Sequence, residues 1–170
     1  RQAGSLVEAD RLRFDFTHVS SLSQEELFRV QRLVNERIRE NLEVRSHQTT
    51  FQKAVAQGAL AFFGDRYGHE VRVVRMGGED VFSQEMCGGI HVTHTGAIGH
   101  LHILSEGGIG AGVRRIEAVT GRGAEGLLWQ RMSTLDALAR RLQTSPWELE
   151  RRADALLEEL EEVRKRASVV

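Results

Sequence analysis

Residues 85–94 read EMCGGIHVTH, placing Cys87 and His91 four positions apart with Gly88 and Gly89 between them. The glycines remove side-chain bulk and let the backbone turn tightly. A thiolate and an imidazole can then converge on one borderline-soft cation such as zinc. Two donors make half a site, because structural zinc takes four protein ligands and catalytic zinc three. His94, His100 and His102 follow closely, but on a strand His100 and His102 share a face at the spacing of a half-buried sheet pair. Cys87 is the only cysteine, so no internal disulfide can form. It is a buried small residue, a metal ligand or a nucleophile.

The elements that must position these residues are legible from periodicity. In RLRFDFTH, Leu12, Phe14 and Phe16 alternate with Arg11, Arg13 and Asp15, the period of a strand with one face on a core. Ser23 and Glu26 form a capping box ahead of Leu27, Val30, Val34 and Ile38 at helical spacing, with Leu22 and Leu27 placed as a hydrophobic staple. A second helix is predicted over TTFQKAVAQGALAFFG, with Phe51, Val55, Ala59 and Phe62 on one face and Gly64 as its C-terminal cap. HEVRVVRM reads as a strand. CGGIHV, IGHLHIL and AGVRRIEAV read as short strands, with SEGGIGAG as a loop between the last two. Mixed strands and helices without regular alternation predict an α+β domain with a mixed or antiparallel sheet.

Beyond Gly121 the pattern changes. Leu128, Met132, Leu135, Ala139 and Leu142 step at a 3.5-residue period, and Leu149, Ala153, Leu156, Leu160, Val163 and Ala167 repeat it after a break. Ser145, Pro146 and Glu148 suit the N-cap, N1 and N3 positions of the second helix. The short connection predicts an antiparallel hairpin whose leucines meet along one seam, with Glu158, Glu159, Glu161 and Arg164 outside it.

Composition limits the partners. The 170 residues carry 23 basic and 24 acidic side chains, a net charge of -1 that gives no general attraction to polyanions or membranes. No apolar run approaches the ~18 residues that span a bilayer, and no signal-peptide pattern opens the chain, so the cytoplasm is the expected location. The chain starts at Arg1 already in strand-like sequence, and a fragment of a longer protein is expected.

Four stretches, RQAGSLVEADRLRFDFTH, VNERI, GALAFFGDRYGHEVRVV and CGGIHVTHTGAIGHLHILSEGGIGAGVRRIEAVTG, resemble in order and spacing the editing domain of bacterial alanyl-tRNA synthetase. The resemblance covers roughly residues 1 to 123 and implies that fold. Residues 124–170 are similar to the helical coiled-coil segment that links this domain to a C-terminal domain in the family. It also implies that Cys87 and His91 bind zinc together with an HxxxH pair on a helix expected to precede residue 1. Gln2 falls where the family places a glutamine that reads a serine hydroxyl, for which a primary amide offers both donor and acceptor. Arg114 and Arg115 match a GVRRIEA pair. On a strand they face opposite ways, so at most one, assigned as Arg114, meets substrate or an RNA phosphate. Ile90 stands in the metal loop where the family has threonine, in reach of substrate but without a hydroxyl.

The implied function is hydrolysis of serine or glycine attached in error to tRNA(Ala), in a parent enzyme that joins alanine to that tRNA with ATP and magnesium. Rejecting serine by its extra hydroxyl in a synthetic pocket yields only about a hundredfold, so a second sieve is warranted. Water is the expected nucleophile, since a metal-bound Cys87 is already committed. The alternatives are a free-standing editing protein of the same superfamily and a non-catalytic assembly module. The tRNA acceptor end is the expected partner, with self-association through the hairpin or an uncovered core face.

Overall fold

The computed structural model describes residues 1–62 and 67–168. The chain folds as two compact units, Arg1–Glu125 and Gly126–Val170. The first is α+β, as expected, and both its sheets are antiparallel.

One sheet has four strands in the order β1 (Gln2–Val7), β2 (Leu12–Thr17), β7 (Val113–Thr120), β6 (Leu101–Gly110). The β6–β7 hairpin closes at Ala111 and Gly112, with φ of 47° and 71°. Positive φ at both central residues suits the twist of the flanking strands. β6 therefore continues through SEGGIG, where glycine content predicts a loop. It does so with register shifts between Ile103 and Ser105 and between Gly108 and Gly110. The residues skipped at the shifts are Leu104 and Ile109, while Gly107, Gly108 and Gly110 stay in register with β7, so the glycines do not end the strand.

β6 is an edge strand, and α1 (Gln24–Arg39) covers it. The predicted capping box of Ser23 and Glu26 is formed. The buried stripe differs from the apolar one. Val30 is 41% exposed, while Asn35 is buried at 6%. Asn35 Nδ2 donates to Leu101 O at 2.9 Å, its Oδ1 accepts from Leu101 N at 2.8 Å, and Gln31 Oε1 accepts from Ile103 N at 2.7 Å. Two amide side chains thus satisfy the open edge of β6 where a further strand would otherwise pair. The loop after α1 is tied in the same way. Thr95 Oγ1 accepts from Leu42 N at 2.8 Å and donates to Arg37 O at 2.8 Å, and Gly96 N donates to Asn41 Oδ1.

The other sheet has the order β3 (Val44–Thr50), β4 (Glu70–Met76), β5 (Ser83–Met86). β3 was not foreseen, because VRSHQTT carries one aliphatic residue and no apolar alternation. The second helix is far shorter than predicted: α2 spans Phe51–Ala56 and stops before Gly58, whose φ is 80°. Leu60 then pairs with β5, donating from its N–H to Gln84 O and accepting from Met86 N, both at 2.9 Å. Strand-edge pairing outweighs helix continuation, which is why Ala59 and Phe62 do not extend the helical face. The predicted cap at Gly64 lies outside the described residues. Ala54, Ala59, Val71, Val73 and Met86 form the core on this sheet, with Phe51, Ala61 and Tyr67 against it.

The second unit holds most of α3 (Gly121–Arg141) and all of α4 (Leu149–Ala167), which a single 3₁₀ turn at Pro146–Glu148 precedes. Ser145 is the N-cap of that turn and not of the α-helix itself. The predicted seam is not closed. Ala139 is buried and Leu142, Leu149 and Leu156 are half-buried near the connection, but Met132 is 64% exposed and Val163 60%. Leu128, Leu135 and Leu160 are exposed as well. A heptad pattern fixes which residues share a face, but what covers that face is a tertiary matter.

Candidate metal and substrate site

β5 ends at Met86, and the chain leaves it as an irregular loop, not as the strand predicted for CGGIHV. Gly88 and Gly89 carry no side chain, and the loop folds back so that His91 Nε2 lies 3.3 Å from Cys87 Sγ. A zinc ion at ordinary bond lengths to one sulfur and one nitrogen would hold them about 3.6 Å apart. The two donors fit half of such a site. Among the described residues no group of three or more histidines, cysteines or carboxylates could hold a metal ion. His91 is held below its ordinary pKa, first by burial and then by the Arg72 charge, with Glu85 opposing. The imidazole is therefore neutral at physiological pH, as a ligand must be.

Arg72, which the sequence reading did not single out, is the residue that shapes this loop. It lies on β4 between Val71 and Val73, whose side chains enter the core, so Arg72 projects from the opposite face. Its Nη1 donates to Cys87 O at 3.3 Å and to Gly89 O, while Cys87 N donates to Arg72 O at 3.0 Å. A charged residue within an apolar strand pattern signals a face and nothing about a loop fifteen residues on.

The remaining candidates fall elsewhere in the unit. Ile90, at the tip of the loop, is fully exposed. Gln2 pairs with Phe16, and Phe16 with Arg114, so the three form one row across the four-stranded sheet. Gln2 Nε2 donates to Ser5 Oγ at 3.1 Å. Arg114 and Arg115 do point to opposite faces. Arg114 makes a two-pronged ion pair with Glu106, whose side chain is 4% exposed, and Arg115 pairs with Asp15 at 2.7 and 2.9 Å. Each arginine's hydrogen bonding holds its carboxylate below the ordinary range. Arg114 Nε and Nη2 are thus both spent on Glu106. His100 and His102 stack with ring centroids 6.4 Å apart, but only His102 lies on β6; His100 precedes the strand and is exposed, so the two are not the half-buried sheet pair that their spacing predicted. His94 Nδ1 lies 3.3 Å from Thr93 Oγ1.

The described residues include no helix long and apolar enough to cross a membrane. The profile described as the threonyl and alanyl tRNA synthetase second additional domain matches residues 71–117, which run from β4 through the Cys87 loop to β7. The alanine–tRNA ligase of Chloroflexus aurantiacus is 49% identical over 167 residues, covering 93% of this chain and 19% of that protein. The alanine–tRNA ligases of Geobacillus kaustophilus (49%) and Bacillus cytotoxicus (45%) each match over 164 residues, 96% of this chain and 18% of their own length. The chain thus spans about a fifth of the length of these curated relatives. It corresponds to a segment of bacterial alanine–tRNA ligases, one that carries the second additional domain of threonyl and alanyl tRNA synthetases.

Proposed function

We propose that the Arg1–Glu125 unit is a hydrolytic editing centre that removes serine or glycine from tRNA(Ala), within a cytoplasmic parent that joins alanine to tRNA with ATP. The observation that carries this reading is the convergence of Cys87 Sγ and His91 Nε2 on the glycine loop. Cys87 and His91 would hold zinc, with the remaining ligands supplied by the HxxxH pair expected upstream. Zinc, when bound, supplies a template and Lewis acid for the ester. Gly88 and Gly89 leave room for the substrate beside the two ligands. Water is the nucleophile, because a thiolate committed to a metal is a poor one. Gln2 reads the serine hydroxyl through its amide, and Arg114 meets an acceptor-end phosphate. Ile90 meets substrate by apolar contact only.

The test is deacylation of Ser-tRNA(Ala) by a longer protein that contains these residues and the parent's flanking sequence. Cys87→Ala should lower hydrolysis at least about tenfold while circular dichroism is unchanged. Undiminished hydrolysis removes Cys87 from the site. A second reading, a non-catalytic assembly module, draws on the exposed leucines of α3 and α4. Absence of any hydrolysis in the longer protein, with its self-association abolished by Leu135→Asp, would favour it.

A further inference from the structure

We infer that Arg72 is the positioning residue of the Cys87–His91 pair: its guanidinium holds the loop in the one conformation that brings the two donors together. This deepens the editing reading and rests on it for the identity of the metal.

The geometry is specific. Three residues lie between Cys87 and His91, two of them glycines, and a loop of that composition has many conformations available. Nothing in the side chains of Gly88, Gly89 or the fully exposed Ile90 can select one. The selection comes from β4. Arg72 Nη1 bridges the carbonyl oxygens of Cys87 and Gly89, and the backbone bond from Cys87 N to Arg72 O fixes the start of the loop against the same residue. The side chain that sets the loop's path is therefore anchored on a strand whose neighbours Val71 and Val73 are buried at 7% and 0%. Loop carbonyls tied to a rigid strand leave the Sγ and Nε2 atoms facing each other at 3.3 Å before any metal arrives.

The charge matters as well. Arg72 has no carboxylate within ion-pair distance among the described residues, in contrast to Arg11, Arg114 and Arg115. Both its loop partners are neutral carbonyls. Both carbonyls take their bond from one nitrogen, Nη1, so the loop uses a single cationic head with more than one donor hydrogen, which arginine provides and lysine reproduces in large part.

The experiment uses the 170-residue chain, with zinc chloride as the metal probe. Arg72→Met keeps the aliphatic stem and removes the donors, and Arg72→Lys keeps charge and part of the donor capacity. Amide hydrogen exchange at Cys87, whose N–H is bonded to Arg72 O, reports the loop without metal. Zinc-induced NMR shifts of the His91 ring report the pair, and remain measurable when binding is weak. We expect Arg72→Met to speed loop exchange about tenfold and to weaken zinc binding by a similar factor, with exchange in β3 and β5 unchanged. Arg72→Lys should recover most of both losses. Unchanged loop exchange and unchanged zinc shifts in Arg72→Met would overturn the inference, and so would loss of protection throughout β3–β5, which marks a merely structural residue. If the parent chain gives no zinc shift at any concentration while Arg72→Met still loosens the loop, the positioning role stands and the metal reading fails.

Discussion

Asn35→Ala tests how the first unit is held together. Asn35 is 6% exposed and makes two hydrogen bonds to one residue, Leu101, at 2.9 and 2.8 Å. Truncation orphans a backbone N–H and a C=O on the edge of β6, under α1. Leaving a buried group unsatisfied costs about 1–3 kcal/mol. The Leu101 carbonyl retains a route to water at the half-buried strand edge, so the sum should fall near 2–4 kcal/mol rather than at the upper bound of two full penalties. Asn35→Asp should be at least as damaging, because it keeps the acceptor for Leu101 N but turns the donor facing Gln31 O and Leu101 O into a negative oxygen. Thermal melting followed by circular dichroism gives the global cost, and hydrogen exchange of the Leu101 amide gives the local one. A cost below about 0.5 kcal/mol with Leu101 exchange unaltered would refute the edge-capping argument, since that is the range of an ordinary surface change.

Three further outcomes are expected. Leu156→Asp should cost only about 1 kcal/mol or less by thermal melting, because Leu156 is half-buried and Leu160 and Val163 beside it are exposed; a loss of several kcal/mol would mean that the seam is covered in solution. The Asp15 and Glu106 carboxylates are held below the ordinary range, so their stabilisation is fully present above it and is lost as pH falls through the depressed folded values. Melting temperature should therefore decline below about pH 4, with a shallower acid limb in Glu106→Gln, and an identical limb in that variant would exclude the Glu106–Arg114 pair as a cause. The chain by itself should not retain stoichiometric zinc through dialysis and should not deacylate Ser-tRNA(Ala), since two donors converge; metal analysis giving one tightly held zinc per chain would contradict this.

The sequence by itself determined the strand through Phe14 and Phe16, the capped helix at Ser23 and the two helices after Gly121, because each is encoded in periodicity or in a cap that acts over a few residues. It also determined that Cys87 and His91 could meet, since two glycines and four positions are local facts. The tertiary structure decided where local signals compete. Residues 59–60 were apolar enough for a helix and went to the edge of β5, and SEGGIG looked like loop and became a bulged strand because β7 pairs with it. The polar Asn35 and Gln31 entered the buried stripe because an edge strand with unmet backbone groups lies beneath them. Arg72 acquired its role in the same way. Its reach to the Cys87 loop depends on β4 and β5 lying side by side, a long-range pairing that no spacing within the chain announces, whereas the helical seam of α3 and α4, plain in its spacing, finds no cover along most of its length.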